Sequence, residues 1–143
     1  MKQILLAFSL QFVCGIAFSQ EPPALTEPVK VEKTEEPIYG VVDEPAVFPG
    51  GNEGMTKYIK TNLHYPQSAK KEGIEGECYV EFVVSNSGYV SWVKIRKGIT
   101  DCPECEMEAV RVVKNMPRWT PGKIAGKPVN SMFVLPIIFD LNN

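Results

Sequence analysis

Between residues 76 and 84 the apolar positions alternate. Cys78, Val80, Phe82 and Val84 fall on one side, and Glu77, Tyr79 and Glu81 on the other. A period of two belongs to a strand with one buried face. Ser85-Asn86-Ser87-Gly88 follows, a hairpin turn by residue type. The next run, Tyr89 to Lys97, carries Val90, Trp92, Val93 and Ile95. Its phase slips between Trp92 and Val93, which predicts a bulge. On both sides of this hairpin the period changes. Met55, Tyr58, Ile59 and Leu63 recur at helical spacing, as do Cys105, Ala109, Val112, Val113 and Met116. Asn52 can cap the first of these helices; Asp101, with Glu104 three residues on, reads as a capping box for the second. Tyr65-Pro66 breaks the earlier helix, and Gln67 to Glu72 makes a short further turn ended by Gly73.

Pro117 stops the later helix. Turns at 120–122 and 125–128 then lead into a last strand, Val129 to Leu141. Pro136 lies inside that strand. Proline cannot donate to a ladder, so the strand is expected at a sheet edge. Phe48, in the turn-rich segment 43–51, is the expected anchor for the start of the domain. The order helix, two strands, helix, strand predicts an α+β fold. Two helices pack on one face of a small, about three-stranded antiparallel sheet.

The N-terminus reads differently. Lys2 precedes a mostly apolar stretch from Ile4 to Phe18, and Ala17-Phe18-Ser19 places small residues before Gln20. Residues 1–19 are therefore expected to be a signal peptide. The stretch is shorter than the roughly 20 residues of a spanning helix, although an uncleaved anchor is the alternative. The bulky residues before Cys14 argue against a lipid-modified cysteine. Residues 20–39 contain Pro22, Pro23, Pro28 and Pro37 among charged residues and read as a Pro/Glu-rich linker reaching roughly 60 Å. The folded domain is then expected over 40–143. The chain carries a net charge of −2, and residues 40–143 hold 12 side chains of each sign. That neutrality excludes the basic footprint of a nucleic-acid binder and predicts weak electrostatic steering.

Candidate chemistry is sparse. His64 is the single histidine, and no Gly-x-Ser-x-Gly or phosphate loop occurs. Glu77 and Glu81 read as a solvated strand face. Cys102-Pro103-Glu104-Cys105 at a helix start could hold a redox pair or a disulfide. A zinc site would need two further ligands, and Cys78 and His64 are the sole candidates. No catalytic residue, cofactor or metal is assigned.

Several ordered motifs resemble one family. They are Tyr65-Pro66-x-x-Ala69, Gly73-Ile74-x-Gly76, the strand Glu77 to Val84 and Gly88-x-Val90. Further on come Glu108 to Val113, Met116-Pro117-x-Trp119-x-Pro121-Gly122, Gly126-Lys127-Pro128-Val129 and Leu135-Pro136-Ile137-x-Phe139. Together they resemble the TonB C-terminal domain. Phe48-Pro49-Gly50-Gly51 is similar to what precedes this domain in Bacteroidetes-type stand-alone members. The resemblance implies a non-enzymatic periplasmic module for energy-coupled transmembrane transport. Its implied partner is an extended, TonB-box-like peptide of an outer-membrane transporter, bound by strand addition. The implied peptide-binding residues are Tyr65 and Pro66 together with Val129, Asn130, Ser131, Met132, Phe133, Val134 and Leu135. If the N-terminus is retained, the chain is instead a short membrane-anchored transducer whose partners include inner-membrane motor proteins. An open edge also permits a homodimer. A third reading, from another class, is a thiol–disulfide redox protein using Cys102 and Cys105.

Overall fold

A computed structural model describes residues 36–143. The expected signal peptide, and the linker up to residue 35, lie outside the described residues.

The alternating run forms β2 (Gly76–Val84), hairpin-paired to β3 (Val90–Lys97). The last strand, β6 (Asn130–Phe139), pairs antiparallel to the other side of β2 in unbroken register, from Gly76↔Phe139 to Val84↔Ser131. A short strand within the expected linker, β1 (Ile38–Tyr39), runs parallel to β6 at Asn130 and Ser131. The sheet therefore has four strands in the order β1-β6-β2-β3, not three. A two-residue strand shows no period from which to read it. A further minor ribbon, β4 (Lys123–Ile124) with β5 (Lys127–Pro128), sits where only turns are expected.

Helix α3 (Pro103–Lys114) lays Cys105, Ala109, Val112 and Val113 onto the sheet, all fully buried. Cys105, Ala109 and Val113 share one core with Cys78, Val80, Phe82 and Val84 of β2, which are also fully buried. Helices α1 (Gly51–Asn62) and α2 (Gln67–Glu72) flank this core; Met55, Tyr58 and Ile59 pack against it only partly. Trp119 sits at its centre. Its ring lies 5.5 Å from Phe48, 5.6 Å from Phe82 and 5.1 Å from Phe133. Such tilted and edge-on aromatic pairs add to the burial term itself.

Local details depart from the expected caps. Helix α1 starts one residue before Asn52, with Gly50 at its cap in the left-handed region (φ +83) and no side-chain cap. Helix α3 is capped by Cys102, whose sulfur accepts from the Cys105 N–H at 3.2 Å. Asp101 instead turns the chain at φ +61, one residue too early to cap. The expected bulge is present: Glu81 pairs with Lys94 and Val83 with Ser91, and Trp92 takes φ +53. Glu81 is not solvated as expected. Lys94 and Arg96 cover it, their nitrogens 2.9 and 3.7 Å from its carboxylate.

Candidate functional site: the β6 edge

Which backbone groups face outward follows from the hairpin. The Ser85 N–H donates to the Tyr89 carbonyl at 2.8 Å, so odd positions of β2 turn toward β3 and even positions toward β6. Even β2 residues meet Ser131, Phe133, Leu135 and Ile137. Those four therefore give their backbone bonds to β2. Of their side chains, those of Ser131, Leu135 and Ile137 are buried and that of Phe133 is half-buried against the core. Met132, Val134, Pro136 and Ile138 turn their backbone to the outer edge and their side chains to the face without helices. Beyond the β1 partners, Val134 and Ile138 bring outward N–H groups, while Pro136 has none. The proline thus costs β2 nothing.

The structure sorts the residues singled out from sequence. The last strand is second in the sheet, not outermost, because β1 covers its start at Asn130 and Ser131. Only Asn130, Met132 and Val134 of the seven strand residues present backbone outward. Val129 gives its N–H to Gly122 O at 2.9 Å. Tyr65 and Pro66 are at the other end. The Tyr65 ring stands edge-on to Phe139 at 5.5 Å, and its hydroxyl donates to the Ile74 carbonyl. From Ser131 to Phe139 the strand covers roughly 27 Å, so the two groups form the ends of one line and not a patch. The strand edge runs on past Leu135 through Pro136 and Ile138, and what sequence reasoning missed is the cleft at its end, lined by Ile59, Leu63, Tyr65, Ile138 and Leu141, with Lys60 and Lys70 at its rim.

A polar network seats the Tyr65 end. Glu108 accepts from Arg111 Nε at 2.8 Å and Nη2 at 2.6 Å, and from the His64 backbone N–H at 2.8 Å. Arg111 Nη2 also donates to Asn62 O at 2.7 Å. His64 thus takes part through its backbone, and its residue is exposed. Arg111 holds the Glu108 carboxyl below the usual range, against the opposing effect of burial. A lowered carboxyl stabilises the fold above the ordinary carboxylate pKa, and that contribution is lost as pH falls through the lowered value. Glu108→Gln should therefore flatten the drop in Tm between about pH 5 and pH 3. Parallel Tm–pH curves for the two proteins would show that the network carries no such linkage.

Cys102 and Cys105 are joined as a disulfide with Cα atoms 5.2 Å apart, and both are buried. Exchange requires a thiolate to reach a sulfur, and this packing closes the approach. Among the described residues Cys78 is the free, buried cysteine, its thiol pushed up by burial and then by Glu106. Among the described residues, no group of three or more His, Cys, Asp or Glu comes together, and no helix is long and apolar enough to cross a membrane.

The model of the family described as the Gram-negative bacterial TonB protein C-terminal domain matches residues 61–141. The chain belongs to the TonB C-terminal family. Its TonB domain is similar to two solved in solution by NMR. The Helicobacter pylori TonB C-terminal domain shares 25% identity over 64% of this chain and 94% of that one, with a TM-score of 0.47. The Pseudomonas aeruginosa domain shares 22% over 57% and 80%, with a TM-score of 0.41. No curated protein matches the chain. The α+β architecture, with helices on one face of an antiparallel-rich sheet, is that of a TonB C-terminal module.

Proposed function

We propose that this chain is an exported, cell-envelope TonB-type module that binds an extended peptide of an outer-membrane transporter. The peptide adds as a strand to the outer side of β6, and the chain serves energy-coupled transport without catalysis of its own. The supporting observation is the outer edge from Val134 to Ile138, which no strand covers among the described residues. Such an edge offers backbone affinity with little sequence demand. The cleft beside Tyr65 prolongs it and can take one side chain of the peptide.

The sheet has a second edge, β3, but its groups disfavour a guest. Trp92 breaks the line at φ +53, and Lys94, Arg96 and Lys97 crowd it, as in edges protected from pairing. Burial of both disulfide sulfurs weighs against the redox reading.

Val134→Pro tests the proposal. It removes an outward N–H and leaves the β2 ladder whole, as Pro136 already does. Recovery of an outer-membrane transporter from envelope extract should fall about tenfold or more, the effect of one lost donor and a stranded acceptor. Val134→Thr should bind as the wild type does. Circular dichroism checks that both fold. Equal recovery with a folded Val134→Pro would exclude strand addition at β6.

A further inference from the structure

Strand β1 is short but fastened at both ends. The Glu36 carbonyl accepts from Asn130 Nδ2 at 3.4 Å, and the Glu36 carboxylate accepts from the Asn86 side-chain amide. The Asn86 N–H in turn donates to Asn130 Oδ1 at 2.8 Å. Asn130 thereby couples the tail to the β2–β3 turn. On the other side of β1, the Asp43 carboxylate accepts from the Ala125 N–H at 2.8 Å, and Glu44 and Lys123 exchange backbone bonds of 3.0 and 2.8 Å. Between these anchors Val41 is almost fully exposed. The segment is a strap. Its parallel direction carries Ile38 past Asn130 and Tyr39 past Ser131, so the chain leaves the sheet at Gly40, beside Met132. The open edge begins just past that point, at Val134.

We propose that residues 36–39 are a tethered competitor strand. They fill the Asn130–Ser131 end of the β6 edge, and an incoming peptide gains that end only by displacing them. This rests on strand addition at β6 as the mode of binding. The strap is suited to reversible release. Ile38 and Tyr39 remain 43% and 37% exposed, so little apolar surface holds them. Each backbone bond adds only modestly in net terms, because the unpaired groups bond to water instead. The tether supplies the rest, since a short intramolecular strand competes at an effective concentration on the order of millimolar. A guest that pairs along 130–138 gains more bonds than the strap makes.

The test uses the full-length chain, 15N-labelled, and a synthetic peptide of residues 34–42 supplied in trans as the probe. Three proteins are titrated: wild type, Tyr39→Pro, which removes a strap donor, and a deletion of 36–39. The strap lies outside the core, so both variants should fold. The expected result is that both bind the probe about tenfold or more tightly than the wild type, with amide shifts at Met132 and Val134. Equal affinity in all three, with shifts still on β6, would overturn the competitor and leave strand addition standing. Shifts that land on β3, or on no strand in any of the three at millimolar probe, would overturn both.

Discussion

Replacing Phe82 with alanine should destabilise the domain by about 3–5 kcal/mol, the usual cost of emptying a buried aromatic site. Phe82 is fully buried toward the C-terminal end of β2. Across the register it faces Phe133, with ring centroids 5.5 Å apart, and it meets Trp119 at 5.6 Å. Three elements converge there: the hairpin, the last strand and the loop after α3. Collapse around the cavity is limited because Trp119 is itself wedged against Phe48. Chemical denaturation should show the loss as a lower midpoint with an unchanged slope. A loss below about 1 kcal/mol would mean that the neighbours close the hole, and that the aromatic cluster is looser than its geometry implies.

Gly88→Ala should cost about 2–4 kcal/mol, although it adds one methyl group. Gly88 closes the β2–β3 turn at φ +88, a conformation that side chains resist. Its carbonyl also accepts from the Trp119 N–H at 2.8 Å, so the loop after α3 lies directly over it. A Cβ there would stand 2.1 Å from the Trp119 carbonyl oxygen, a backbone atom that cannot swing aside. The turn and the loop must part, and Trp119 moves with the loop. Gly73→Ala is the control: its φ is +66, but a Cβ there meets nothing within 4 Å. It should cost about 1 kcal/mol, for backbone conformation alone. Equal midpoints for the two variants would show that the clash is relieved without cost. Near-ultraviolet circular dichroism should report the displaced tryptophan in Gly88→Ala only.

Periodicity was enough to assign the faces of the main elements. Cys78, Val80, Phe82 and Val84 point inward, and so does the stripe of α3, because burial on one side imposes a period of two or of 3.6 on any sequence. The bulge at Trp92 was legible as a slip of phase, and Gly73 as a helix stop. Capping was less legible. Asp101 and Cys102 are adjacent candidates, and a one-residue choice depends on how the preceding turn enters the helix.

The site divides the same way. Pro136 revealed from sequence alone that one side of the last strand lacks a donor. Which side, and whether that side is open, depended on the order β1-β6-β2-β3. Strand order is set by pairing between residues far apart in the chain, and no local pattern records it. The same holds for Ile38 and Tyr39, two exposed residues in a stretch of linker composition. Their strand exists because the β6 edge lies within reach and the bonds of Asn130 and Asp43 hold the chain beside it. Sequence determined the fold class, the buried faces and the chemistry of the last strand. Tertiary structure decided how much of its edge is free, because that depends on which distant segment lies alongside.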